Sequence, residues 1–110
     1  MSQPTPDRPL DPEQCQSMID VRAGVDAVDA ELVVLLARRF GYMRAAARIK
    51  PDRASVRDEA RKAEVIANAV AHAGRDGVPV GLVAELWERL VESSIAYEFD
   101  AWDDRKSREG

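Results

Sequence analysis

At 110 residues, with 45% hydrophobic and 33% charged residues, the chain has the size and composition of one soluble helical domain. A formal net charge of −4 argues against a general nucleic-acid binder, and no apolar run approaches membrane-spanning length. Cys15 stands alone and His72 is the one histidine, which excludes an intrachain disulfide and a cysteine-based metal cluster.

Residues 1–10 are polar and proline-rich and are expected to be a disordered lead-in. No secretory h-region follows the N-terminus, so a bacterial-type cytoplasm is the expected compartment. Asp11-Pro12-Glu13-Gln14 reads as a helix start, with an acid at the N-cap, proline at N1 and glutamine at N3. The next proline is Pro51, and Gly24 and Gly41 between them need not end a helix. A helix over 12–50 is about 57 Å long, against a radius of gyration near 13 Å for a compact domain of this size. Its overhanging apolar stripe needs a cover, and the simplest cover is a second copy of the chain with helices interlocked.

Pro51 to Ala54 forms a short charged connection. Ser55 is the expected N-cap of a second helix that runs through Ile66 and Val70 to about Gly74. Residues 74–79 read as a turn. A third helix follows over 79–104, with Val83, Leu86, Trp87, Leu90, Val91 and Trp102 toward the core. Residues 105–110 are expected to fray. β-Branched residues form no period-2 runs, so no sheet is expected. The predicted architecture is all-α: a three-helix protomer over 11–104 with a very long first helix, in an intertwined homodimer.

Several polar residues interrupt the apolar faces. Met18, Val21, Val25, Val28, Leu32 and Leu35 step by three and four, and the next position in that register is Arg39. Lys50 lies eleven residues on, about 20° away around the helix. Two cations therefore point into one interior, which requires either an internal acid such as Glu98 or Asp58, or an anionic ligand. On the third helix Ser94 and Glu98 continue the face of Trp87, Leu90 and Val91. A carboxyl buried there without a cation would have a raised pKa, whereas a helical serine often bonds its own backbone. Asp58, Arg61 and Lys62 share one side of the second helix, where a cap residue with surface partners is the plain reading. Arg22 lies roughly 25 Å and about 100° from Arg39. It is either an exposed arginine without a task or a residue that reaches a partner's pocket.

No nucleophile with an adjacent base, Gly-rich phosphate loop, HExxH or CxxC element is present. A pocket of several cations, a carboxyl and a hydroxyl suits a small polyanion, and catalysis by positioning and electrostatics without a covalent step.

In their order and spacing these residues resemble the all-helical chorismate mutases. The matching segments are Val21-Arg22 with Asp26 and Asp29, Leu35 to Arg39, Ala47 to Lys50, Val56-Arg57-Asp58 with Arg61, and Ser94 to Glu98. The resemblance covers about residues 14–104 and implies intertwined dimers that rearrange chorismate to prephenate without a cofactor, in aromatic amino-acid synthesis. It implies that Arg39 and the partner protomer's copy of Arg22 bind substrate carboxylate, with Arg61 lining the same pocket. Lys50 would meet the ether oxygen of the breaking bond and a carboxylate, Asp58 would sit near the ring hydroxyl, Ser94 would seat a carboxylate, and Glu98 would meet the ether oxygen from the other side.

The chain departs from the family pattern twice. Many bacterial members have glutamine in place of Glu98, so Glu98 must be protonated to help, and activity should favour mildly acidic pH. Lys62 stands where the family often has a glutamate for the ring hydroxyl. The segments Asp11 to Cys15 and Ile95 to Glu98, with Trp102, also resemble isochorismate pyruvate lyases, which share the fold and release salicylate and pyruvate. The second helix looks more like a mutase. A third reading, from another class, is a helical dimerisation module whose buried cations are structural.

Overall fold

A computed structural model describes residues 9–109, so most of the predicted lead-in lies outside the described residues. The helices are α1 (Met18–Ile49), α2 (Glu59–Asp76) and α3 (Val80–Glu109), and there is no strand among the described residues. Short 3-10 turns at Pro12–Gln14 and Arg53–Val56 precede α1 and α2. The chain forms two compact units, one up to Arg39 and one from Phe40 onward.

In the first unit the predicted helix start is a single turn. Gln14 Oε1 accepts from the Asp11 N–H at 3.2 Å, and Cys15 then extends the backbone. A second cap starts α1: the Asp20 N–H donates to Ser17 Oγ at 3.2 Å, and Asp20 Oδ2 accepts from the Gln16 N–H at 3.0 Å. Asp20 also places negative charge at the positive end of the helix dipole. The long helix therefore begins at Met18 rather than Pro12. At 32 residues it is about 48 Å long. Val21, Val25, Val28, Leu32 and Leu35 are all exposed along it. The Pro9–Pro12 segment and Cys15 line an apolar groove of about 640 Å³ with Val21, Val25 and Val28.

In the second unit, Ala47 of the last turn of α1, Val56, and Val91, Ile95 and Trp102 of α3 form one core cluster. Ala69 and Ala73 of α2 pack with Val83 of α3 in a second, and Trp87 touches both. Of the core residues expected on α3, Leu86 is exposed, because the face of α3 turned to α2 is set by Val83, Trp87 and Val91 at four-residue steps. Ser55 does not cap α2. It lies in the 3-10 turn, where Asp52 Oδ1 accepts from its N–H at 3.0 Å and its hydroxyl at 2.6 Å. Asp58 caps α2 instead, accepting from the Arg61 N–H at 3.0 Å.

α2 passes through Gly74 and stops at Gly77, whose φ of 72° is left-handed. That conformation turns the Val78 N–H back onto the Ala73 carbonyl at 2.9 Å, a closing bond a glycine supplies with least strain. α3 continues to Glu109, so residues 105–109 are helical rather than frayed. Arg105 fastens this extension to the end of α1.

Ion pairs join α2 and the segment before it to α3. Glu92 accepts from Arg57 at 2.9 and 3.1 Å and from Lys62 at 2.9 Å, while Lys62 also reaches Glu88 at 2.8 Å. Hydrogen bonds from Arg57, then from Lys62, hold the Glu92 carboxyl down to about 2. Because this folded value lies below the ordinary 4.5, the group stabilises the fold above that pH and loses its contribution as pH falls toward 2. Partial exposure makes the effect modest. Glu92→Gln should lower the melting temperature at neutral pH and flatten its decline on acidification, as thermal unfolding between pH 7 and 2 would record.

Candidate active site

Lys50 is the residue at which α1 stops. Its N–H still completes the helix by donating to the Ala46 carbonyl at 2.9 Å, and Pro51 cannot continue it. The side chain turns toward α3. Its Nζ donates to Glu98 Oε2 at 2.7 Å and to the Val56 carbonyl at 3.3 Å. The Glu98 side chain is 6% exposed and that of Lys50 is 28% exposed, so solvent meets the pair from the lysine side. Ser94 lies one turn before Glu98, 3% exposed, with its hydroxyl donating to the Leu90 carbonyl at 2.6 Å.

A sealed carboxylate is tolerable here because a cation is in contact with it. The two groups at 2.7 Å form a charge-assisted bond, one end of which can be offered to another oxygen. The arrangement can therefore present an ammonium donor, and a carboxyl beside it, to an anionic or ether oxygen entering from the exposed side.

The other expected site residues are placed as follows. Asp58 is exposed at the start of α2, and Arg61 follows it with its guanidinium on Glu64. Lys62 is engaged with Glu88 and Glu92, which makes it part of the seam between α2 and α3. Arg22 and Arg39 belong to the first unit, Arg22 exposed and Arg39 half-buried. The structure thus brings Lys50 and Glu98 together directly, with Ser94 on the same face of α3. Among the described residues no group of His, Cys, Asp and Glu side chains could hold a metal ion, and no helix is long and apolar enough to cross a membrane.

Near the pair, Arg105 went unread in the sequence and Trp102 was read only as a core residue and in the lyase resemblance. The Trp102 indole N–H donates to the Lys50 carbonyl at 3.4 Å. Arg105 Nη1 donates to the Ala47 carbonyl at 3.3 Å and also to the Arg48 carbonyl. A signal existed: the buried register of Val91, Ser94, Glu98 and Trp102 steps next to residue 105.

The chain is all-helical among the described residues, and the lysine that ends its first helix is paired with a buried glutamate of its third. Residues 21–99 match the family described as chorismate mutase type II, and the chain belongs to that family. It is also similar to the isochorismate pyruvate lyase of Pseudomonas aeruginosa, with 29% identity over 91 residues, covering 83% of this chain and 90% of that protein.

The two partners of the pair should differ in what their loss does to stability. Lys50→Ala leaves the sealed Glu98 without its cation and should cost about 2 kcal/mol or more. Glu98→Gln keeps the shape and leaves a partly exposed ammonium still bonded to the Val56 carbonyl, and should cost less. Urea unfolding of both variants at pH 7 would read the order, and equal costs would mean that burial of Glu98 is not what Lys50 offsets.

Proposed function

We propose that the chain is a chorismate mutase that rearranges chorismate to prephenate. The observation that carries this reading is the contact between Lys50 Nζ and Glu98 Oε2 within the segment that matches the family. The substrate is a dicarboxylate that reacts from a compact diaxial conformer, with negative charge building on the ether oxygen as its bond to carbon breaks. Fixing that conformer removes an entropic cost, and a donor aimed at the ether oxygen stabilises the transition state more than the ground state. Lys50 supplies that donor when it turns from Glu98 to substrate. Glu98 faces the ether oxygen from the other side and helps only when it carries a proton. Arg39 and Arg61 bind carboxylate, Ser94 seats a carboxylate and Asp58 lies near the ring hydroxyl. No step is covalent to the protein.

Arg22 enters this reading through a second copy of the chain. Val25, Val28, Leu32 and Leu35 of α1 are each more than half exposed, a stripe that an interlocked partner would cover. The wild-type chain should sediment at twice its 12.2 kDa mass. Replacing Val28 and Leu32 together with glutamate should give monomers without turnover. A wild-type monomer at micromolar concentration removes the second copy, and with it the role of Arg22.

One observation favours a second reading. The similarity to a protein named isochorismate pyruvate lyase supports elimination of pyruvate from isochorismate in the same pocket. Product analysis with purified protein, given chorismate and isochorismate separately and without cofactor, tests both. Prephenate from chorismate is the expected result, and salicylate with pyruvate from isochorismate, with little prephenate, establishes the lyase instead. Turnover of neither substrate from mildly acidic to neutral pH leaves a helical dimerisation module.

A further inference from the structure

The last turn of α1 has a hydrogen-bonding deficit that its own sequence creates. In a continuing helix the N–H of residue 51 would donate to the Ala47 carbonyl, but residue 51 is proline and has none. Ala47 is 2% exposed, so water is a poor substitute there. The carbonyls of Arg48 and Lys50 also lie past the last intrahelical donor. α3 supplies what is missing: Arg105 donates to Ala47 and Arg48, and Trp102 donates to Lys50. A guanidinium at the negative end of a helix dipole adds a favourable charge interaction. Glu109 lies 3.5 Å from the Arg105 Nε as an ion pair without a hydrogen bond, and the guanidinium lies 5.9 Å from the Trp102 ring centre. Arg53, just past Pro51, is tied to Asp103 at 2.9 and 3.2 Å and covers the Phe99 ring at 4.4 Å.

We infer that Arg105, with Trp102 beside it, is a positioning residue for Lys50: it replaces the donor lost at Pro51 and so fixes the end of α1 from which the Lys50 ammonium reaches Glu98. Both residues lie beyond residue 99, where the family match ends. Glu98 and Trp102 are one turn apart on α3, so one helix face holds both the partner of the Lys50 ammonium and the donor to its carbonyl. Displacing an active group by about 1 Å can cost on the order of a hundredfold in rate. A frayed last turn permits displacements of that size.

The catalytic part of this inference rests on the proposed role of Lys50 in the rearrangement, whereas the positional part does not. The test is therefore double. In the full-length protein, amide exchange followed by NMR should show the Lys50 N–H losing protection by roughly tenfold or more in Arg105→Ala. Ile95, in the middle of α3, should stay unchanged, and Arg105→Lys should recover part of the protection. Turnover should fall by about tenfold or more in Arg105→Ala and be partly restored by Arg105→Lys. Unchanged protection at Lys50 overturns the proposal whatever the activity. An equal loss at Lys50 and Ile95 also overturns it, because Arg105 would then only support the unit as a whole. If the wild type turns over neither substrate, the mutase reading fails by itself, and the exchange measurement still decides whether Arg105 fixes Lys50.

Discussion

A carboxylate almost sealed from water has to be met by a cation, and in this chain that requirement organises the second unit. Glu98 sits on the buried face of α3 between Ile95 and Trp102. Lys50 answers it at 2.7 Å. For the ammonium to reach that point, α1 must end at its present place, the turn after it must bring the Val56 carbonyl within 3.3 Å, and α3 must keep its register past residue 98. Pro51 sets the first condition, Asp52 capping the turn sets the second, and the apolar step from Val91 to Trp102 sets the third.

The seam between α2 and α3 has a different character. Arg57, Lys62, Glu88 and Glu92 form a partly exposed lattice over the alanine and valine contacts of Ala69, Ala73 and Val83. Small side chains bring the helices close, and the charges at the edge select the pairing more than they add stability. This gives Lys62 a structural task at a position where an acid is common in the family. A lysine cannot supply the acid–hydroxyl contact expected there; of the nearby exposed acids, Glu59 and Glu64 are paired with Arg57 and Arg61, and Asp58 caps α2.

The fold was legible because its signals are periodic. Three amphipathic segments, few breakers and no alternating runs define three helices, and Arg39, Ser94 and Glu98 stood out as polar steps in apolar registers. Burial alone allowed Glu98, Asp58 or an anionic ligand as the partner of Lys50. The boundaries were less legible because competing caps lie close together. Asp11 and Ser17 both suit the start of α1, and Ser55 and Asp58 both suit the start of α2. The cap followed by an unbroken run of helix formers prevailed in each case. Residues 105–109 read as a frayed end because their composition is polar. Their order comes from a contact 58 residues back along the chain, between Arg105 and Ala47, which no local pattern reveals.

That spacing bears on the order in which the molecule is assembled. The bonds that define the end of α1 join residues separated by 48, 52 and 58 positions. A chain growing from its N-terminus at about 5–20 residues per second makes helix α1 several seconds before Glu98, Trp102 and Arg105 exist. Local helix formation takes microseconds or less, while these distant closures wait for residues 98–105 to be made. The last turn of α1 in the nascent chain therefore stays open, and the Lys50 corner is closed only once residues 98–105 have appeared.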